Sequence, residues 1–224
     1  MFGFSKYFIF FTIFSMILFA IYPKIDLYVS SLFFDPHQGF YLRELEPFKF
    51  MHDYVRWIFL IPFLVLIILY IYQFVKKNEF KKFNKRAIFF VLIFSIVGPG
   101  IVTNLIIKEH STRARPINIG YFGSKSGKEF TPYYSLKGKC KKNCSFISGH
   151  VAATFIFLAI AYILKSRLFF IFSIALLILM AVSRIVQGGH FLSDTIFTFI
   201  INLIILNLIY YLVFKEYPTL KEKS

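Results

Sequence analysis

Residues 57–75 read WIFLIPFLVLIILYIYQFV, a run of 19 residues without a charged side chain. A helix needs about 20 mainly apolar residues to cross the ~30 Å hydrocarbon core of a bilayer. This run therefore predicts a membrane-spanning helix. Five more charge-free runs share its character and lie at residues 7–23, 87–107, 151–164, 168–183 and 195–214.

Together the six runs predict an all-α, polytopic membrane protein with six transmembrane helices. The runs at 151–164 and 168–183 are the shortest, and the former is long enough to span only if its helix begins near Ser145. The run at 7–23 is also compatible with a signal peptide. It is long for one, however, and no small-residue cleavage site follows it, so we favour a retained helix.

The composition excludes an ordinary soluble domain. Of the 224 residues, 58% are hydrophobic and 17% are charged, and so few charges could not cover that much apolar surface in water. The chain has no internal repeat, low-complexity tract or linker, so we predict one domain over residues 1–224. Two cysteines are too few for a disulfide-rich secreted module.

The net charge of +15 is compatible with two classes of partner, nucleic acid and membrane. The basic residues lie in loops between apolar runs, which favours the membrane and argues against nucleic acid. Residues 76–86 carry six basic side chains and one Glu, and short loops of this kind stay in the cytoplasm. We therefore place this loop and both termini in the cytoplasm, and residues 108–150 on the opposite side.

Two segments interrupt the apolar pattern. Gly98-Pro99-Gly100 lies inside the third run and predicts a helix kink; the alternative is that small residues let neighbouring helices pack closely. Asn104, one turn further on, is expected to hydrogen-bond across helices. Residues 24–56 contain scattered aromatic side chains, and we expect them to form short amphipathic pieces along the membrane interface.

Polar residues gather in three clusters at the ends of the apolar runs. They lie at residues 108–116, 145–150 and 183–194. The third run ends where the fourth begins, and the fifth ends where the sixth begins, so all three clusters share one membrane face in either orientation. Polar groups at membrane depth are costly and tend to be functional, which makes this face the candidate site.

The cationic side chains of these clusters suit a phosphate group. Arg115 and Arg184 can each fork onto two phosphoryl oxygens, and Lys108 adds a point charge. Ser148 and Gly149 lie where a helix begins, and backbone N–H groups at such a point can bind an anion.

The histidines of the clusters suit nucleophilic catalysis. His190 and Asp194 are four residues apart, which places them on one face of a helix. The carboxylate can hold one imidazole nitrogen and leave the other free to attack phosphorus, while His150 can give the leaving group its proton. The glycine pair at 188–189 permits a close approach of the backbone to an anion. No acidic cluster is present to hold magnesium, so we predict no metal and no cofactor.

Each of these pieces also has a structural interpretation. A histidine at a helix end is often a structural hydrogen-bonding group, an arginine at a membrane boundary usually snorkels to the interface, and a His–Asp pair four residues apart can stabilise a helix. The joint pattern favours catalysis, because the three clusters bring complementary roles to one face.

The clusters read Lys-x6-Arg-Pro at 108–116, Ser-Gly-His at 148–150 and Ser-Arg-x5-His-x3-Asp at 183–194. This pattern resembles the three-part signature of the type-2 phosphatidic acid phosphatase superfamily. The resemblance implies a bundle of six helices and a metal-independent lipid phosphatase that works through a phosphohistidine. It implies His190 as the nucleophile, Asp194 as its orienting partner and His150 as the general acid. The phosphate-binding residues that it implies are Lys108, Arg115, Ser148, Gly149 and Arg184.

One position departs from the family pattern, because Ile147 stands where proline usually precedes Ser-Gly-His. Ile147 restores a backbone N–H and some freedom, which bears on loop geometry more than on chemistry. Within the superfamily, short stretches around residues 98–108, 144–150 and 187–191 are most similar to bacterial lipid A 4′-phosphatases. This similarity implies an anionic lipid A substrate and an active site at the periplasmic face of the bacterial inner membrane.

Other substrates and another class of protein remain open. An undecaprenyl-diphosphate or phosphatidylglycerophosphate phosphatase would use the same residues, and a non-enzymatic lipid or anion carrier would need none of the chemistry. Carriers often have matching interrupted helices in their two halves, and Gly98-Pro99-Gly100 has no counterpart in this chain. The sequence predicts neither the lipid, nor the phosphate position, nor the oligomeric state.

Cys140 and Cys144 lie in the loop that we place outside the cytoplasm. An oxidising compartment would allow a disulfide between them, provided that a turn brings their Cα atoms within about 7 Å. Two thiols are too few for a structural zinc site. A paired and a free state of the two thiols both remain open.

The orientation can be tested by cysteine scanning. The charge bias of the short loops predicts that a cysteine at Ser126 reacts with a membrane-impermeant reagent in intact spheroplasts, whereas a cysteine at Asn78 reacts only after lysis. Labelling of Asn78 without labelling of Ser126 would reverse the orientation.

Overall fold

The regular structure of the chain is almost entirely helical. The computed structural model describes residues 5–77, 80 and 82–218, so Asn78 and Lys81 of the basic loop lie outside the described residues. The helices are α1 (Lys6–Ile21), α2 (Ile25–Ser31), α3 (Phe48–Lys76), α4 (Lys85–Ser95), a π-helical segment (Ile96–Lys108), α5 (Gly149–Leu164), α6 (Arg167–Val186) and α7 (Leu192–Phe214), with short 3₁₀ turns at Pro116–Asn118 and Gly120–Phe122.

Several of these helices are long and apolar enough to cross a membrane. Within the described residues, four helices are of this kind: α3, α4 with its π-helical continuation, α6 and α7. Helices α1 and α2 reach the required length only as one span, and they are bent by 86° relative to each other. The predicted all-helical membrane architecture is confirmed, whereas the count of six spans stays a prediction.

Helix α5 has 16 residues and lies at the centre of the bundle, where it packs against α3, α4, α6 and α7. Ala152, Ala159 and Ala161 are fully buried in it, and such small side chains let neighbouring helices approach closely. A helix enclosed by its neighbours faces little lipid, so its length is not set by the bilayer alone. It begins at Gly149 rather than near Ser145, and this still places His150 in its first turn.

The Gly98-Pro99-Gly100 segment does not break its helix. The helix passes from α to π winding at Ile96 and continues to Lys108. A Cβ atom on Gly98 would lie 2.9 Å from the Phe94 ring and 3.1 Å from Asn202 Oδ1 of α7, which agrees with the close-packing interpretation. Asn104 was expected to hydrogen-bond across helices. Its side chain instead donates a hydrogen bond to the Pro99 carbonyl of its own helix, at 2.7 Å.

The segment at 24–56 is more helical than expected. Helix α2 occupies part of it, and α3 begins at Phe48, nine residues before the apolar run that marks it in the sequence. The start of α3 therefore lies at the same end of the bundle as the three polar clusters, and its side chains contribute to the site described below.

The long loop between the π-helical segment and α5 is tied to the first polar cluster. The Cys140 N–H donates to the Thr112 carbonyl at 3.0 Å, and the Ser145 N–H donates to the Arg113 carbonyl at 2.8 Å. A disulfide joins Cys140 to Cys144, with Cα atoms 5.7 Å apart. The cis-linked Ile147 is fully buried among Phe197 and its neighbours. These contacts bring the second polar cluster beside the first.

Candidate active site

His190 is fully buried, and one backbone carbonyl fixes its protonation. Its Nδ1 lies 2.7 Å from the carbonyl oxygen of Ser145. A carbonyl oxygen can only accept, so Nδ1 carries the proton and the lone pair of the neutral ring lies on Nε2. Nε2 has no hydrogen-bond partner among the described residues. The ring is therefore oriented as a nucleophile requires.

The surroundings of His190 keep its ring neutral. Burial is the main cause that lowers the pKa of His190 to about 3; the Asp194 carboxylate opposes this shift, and the guanidiniums of Arg115 and Arg184 add to it. Burial disfavours the charged form of a histidine, and nearby cations do the same. At neutral pH the imidazole therefore has an unprotonated Nε2.

Asp194 lies beside His190 but is not its direct hydrogen-bond partner. Its Oδ2 is 3.7 Å from His190 Nδ1, and this oxygen accepts from the Ser145 hydroxyl and, at 2.9 Å, from the Phe191 N–H. The Ser145 carbonyl is thus the nearer partner of His190 Nδ1, and Asp194 lies within ion-pair distance of the same atom. Asp194 sits in the first turn of α7, where its carboxylate turns back to cap the helix, and it reaches the histidine through Ser145.

Arg184 is buried against the turn that precedes His190. Its Nη1 donates to Gln187 Oε1 at 2.7 Å, while its Nε has no partner among the described residues. The Gly189 and His190 N–H groups both donate to the Arg184 carbonyl, at 2.9 and 3.1 Å. A Cβ atom on Gly189 would lie 2.2 Å from Arg184 Nη2. The glycine therefore makes room for the guanidinium, and its N–H group is already hydrogen-bonded within the turn.

The other predicted cations flank this position. Arg115 donates from Nε to the Asn143 carbonyl at 3.1 Å and from Nη2 to the Asn143 side chain. Lys108 ends the π-helical segment and is half-buried, within electrostatic range of Arg115 and Arg184. Arg115 and Arg184 thus lie near His190, with Lys108 in range of both arginines. Asn143 is a supporting residue that the sequence did not indicate.

Ser148 and Gly149 make packing and capping contacts at the start of α5. The Ser148 N–H donates to Thr198 Oγ1 at 2.8 Å, and its hydroxyl accepts from the Val151 N–H as the helix cap. The N–H of Ser148 is therefore occupied, and the expectation that backbone N–H groups at the start of this helix bind an anion stays a prediction. A Cβ atom on Gly149 would lie 2.5 Å from Asn104 Oδ1, so glycine is required by the close approach of the π-helical segment.

His150 is half-buried and has an unexpected neighbour in α3. Its ring is parallel to that of His52, with centroids 5.5 Å apart and an interplanar angle of 6°. His52 Nδ1 in turn lies 2.9 Å from Asp53 Oδ1. This pair could not be predicted from the sequence, because residues 52–53 belong to no motif and lie in the segment expected to follow the interface.

A polar pocket of about 250 Å³ opens beside Arg115 and Arg184. It is lined by Arg115, Arg184 and Gly189 from the predicted clusters, and by Arg43, Lys49 and His52 from the segment at the start of α3. A cation-rich pocket of this kind suits a phosphate ester.

Comparison with known proteins finds a matching family and similar proteins of known activity. Residues 86–218 match the family model described as the PAP2 superfamily. The chain is 31% identical over 208 residues to a lipid A 4′-phosphatase of Francisella tularensis subsp. novicida, covering 91% of this chain and 92% of the relative. It is 29% identical over 209 residues to a lipid A 4′-phosphatase of Rhizobium leguminosarum, covering 84% of this chain and 87% of the relative. No solved structure matches the chain significantly.

The close approach of Gly189 to Arg184 gives a testable prediction. The substitution Gly189→Ala displaces the guanidinium, and a lost hydrogen bond to a charged group costs about 1.5–3 kcal/mol. We expect the affinity for orthophosphate, measured by calorimetry in detergent, to fall about 10–100-fold. Gly120→Ala is the matched control, because its Cβ would lie 3.9 Å from the nearest atom. Equal affinities in the two variants would contradict this role for Gly189.

Proposed function

Because this chain belongs to the PAP2 superfamily, we propose that it is a lipid phosphatase that removes the 4′-phosphate monoester of lipid A. The observation that carries the proposal is the buried, neutral His190, whose Nε2 has no partner among the described residues and which directly follows Gly189 of the cationic pocket. The names of the relatives, which are similar over most of the chain, support lipid A as the substrate.

In the proposed reaction His190 is the nucleophile and His150 is the proton carrier. The Nε2 lone pair attacks phosphorus, so a P–N bond forms and the bond from phosphorus to the lipid oxygen breaks. That oxygen takes a proton from His150. A water molecule then attacks the phosphohistidine and gives a proton back to His150, which releases inorganic phosphate and restores both histidines.

The cations of the site stabilise the negative charge of the transferred phosphoryl group. Arg184 and Arg115 bind its oxygens, and Lys108 adds a positive charge nearby. Donors fixed in advance near the developing charge are usually the largest contribution to such catalysis. We therefore propose that no metal takes part and that activity persists in the presence of a chelator.

An apolar groove beside the site favours a lipid over a soluble substrate. The groove has a volume of about 230 Å³. Its α6 side runs from Ile174 to Ile185, a distance of about 16 Å at 1.5 Å per residue. It ends one residue from Arg184, and Val151 of its lining follows His150 directly. An acyl chain in this groove would hold its phosphate at the level of the histidines.

The location that we propose is the bacterial inner membrane, with the site facing the periplasm. The cytoplasmic placement of the loop at 76–86 by its charge supports this orientation. The disulfide between Cys140 and Cys144, in the loop on the same side as the site, suits an oxidising compartment.

Mass spectrometry of lipid A tests the substrate. We expect lipid A from a host that produces this chain to lack the 4′-phosphate, and lipid A from a host that produces the His190→Ala variant to keep it. Unchanged lipid A, together with phosphate release from purified undecaprenyl diphosphate or phosphatidylglycerophosphate, would favour those substrates instead. Absence of phosphate release from every phospholipid tested would favour the carrier.

Peptide mapping of the phosphoenzyme tests the division of roles between the histidines. With phosphate-radiolabelled lipid, we expect an acid-labile label on the peptide that contains His190. His190→Ala should abolish both label and turnover. His150→Ala should slow turnover about 10²–10⁴-fold, the usual contribution of general acid–base catalysis, and less with an acidic leaving group. A label on the His150 peptide that survives His190→Ala would reverse the assignment.

A further inference from the structure

Arg113 is the most deeply buried cation of the site region, with a side chain that is 1% exposed. Its Nη1 lies 2.6 Å from Asp194 Oδ1, and its Nη2 lies 2.6 Å from Asp26 Oδ2. Its Nε donates to the Thr131 carbonyl at 2.8 Å, and the guanidinium lies 4.2 Å from the centre of the Phe191 ring. With its donors occupied in this way, Arg113 does not face the phosphate pocket.

Asp26 is the second carboxylate on this guanidinium. It comes from α2, outside the residues that match the family model. Its Oδ1 accepts from the Ser193 N–H at 2.8 Å, and its Oδ2 accepts from the Ser193 hydroxyl at 2.6 Å. Asp26 thus binds both Arg113 and the first turn of α7, beside Asp194.

A continuous path of hydrogen bonds leads from Asp26 to His190. Arg113 donates one hydrogen bond to Oδ2 of Asp26 and another to Oδ1 of Asp194. The Oδ2 of Asp194 accepts from the hydroxyl of Ser145, and the carbonyl of Ser145 accepts from His190 Nδ1. Every link in this path involves side chains that are almost fully buried, where an ionic hydrogen bond is strong and a lost partner is costly.

We infer that Asp26 and Arg113 are positioning residues for the reaction, which hold Asp194 and Ser145 so that the proton of His190 stays on Nδ1. This inference rests on the proposed function. Neither residue touches the phosphate, so both act through Asp194. One guanidinium between two carboxylates fixes the rotation of Asp194, because each of its terminal nitrogens is committed to a different acid. The N-terminal helix pair is thereby coupled to the catalytic turn.

The opposing possibility is that the same contacts only attach α2 to α7. The two roles differ in their kinetics. Loss of attachment lowers the amount of folded protein, and the protein that does fold has a normal kcat. Loss of positioning lowers kcat in folded protein while KM is unchanged, because the phosphate-binding cations are not altered.

The test uses Asp26→Asn in the full chain, purified in detergent and assayed on lipid A. Asparagine keeps the shape and a hydrogen-bonding oxygen but removes the charge. We expect kcat to fall about 10–100-fold, as for other outer partners of a catalytic group, with KM changed less than about twofold. Asp35→Asn is the matched control, since Asp35 lies in the same N-terminal part but binds the local His37 and Gln38 N–H groups. We expect it to behave as wild type.

Histidine ¹⁵N spectra give a readout that needs no substrate. We expect the Nδ1–H form of His190 in wild type and a shift toward the Nε2–H form in Asp26→Asn. Equal kcat and equal spectra in Asp26→Asn and wild type would overturn the positioning role. A wild-type protein that is inactive on every lipid, but in which Asp26→Asn still shifts the tautomer, would overturn the proposed function while showing that Asp26 controls the protonation of His190.

Ser193→Ala provides the second variant if Asp26→Asn does not fold. It keeps all the charges and removes the hydroxyl that bridges Asp26 and Arg113. A lowered kcat with unchanged KM and a shifted tautomer would support positioning. A wild-type kcat and spectrum in folded Ser193→Ala would overturn it.

Discussion

The site depends on one hydrogen bond, from Nδ1 of His190 to the Ser145 carbonyl. An acceptor that cannot donate leaves only one tautomer for a neutral imidazole, and burial keeps the imidazole neutral. The second polar cluster, which carries Ser145, must therefore lie against the third, which carries His190. The ties between the long loop and Thr112–Arg113 hold it there.

The second constraint is the placement of buried charge at the edge of a membrane. Ions removed from water are costly unless they are paired and hydrogen-bonded. Here Arg113 is compensated by Asp26 and Asp194, whereas Arg184 keeps an Nε without a partner among the described residues. The first arrangement is typical of a structural ion pair. The second is typical of a group that binds an anionic substrate, so the two arginines of similar burial have different chemistry.

Much of the architecture could be predicted from the sequence because the bilayer imposes a length and a polarity on each span. The meeting of the three clusters also followed from the ends of the apolar runs. The identity of the group that orients His190 could not be predicted in this way. A spacing of four residues places Asp194 on the same helix face, but it does not indicate a contact with a carbonyl 45 residues away. The Asp26–Arg113 pair, 87 residues apart, leaves no periodic signal.

The tautomer of His190 tests the central claim most directly. Protein labelled with ¹⁵N at histidine can be measured in detergent near neutral pH, and the resonances of His190 can be assigned by comparison with His190→Gln. A neutral ring with its proton on Nδ1 and an unprotonated Nε2 is the predicted result. A proton on Nε2, or an imidazolium at this pH, would contradict the assignment of His190 as a nucleophile held by the Ser145 carbonyl.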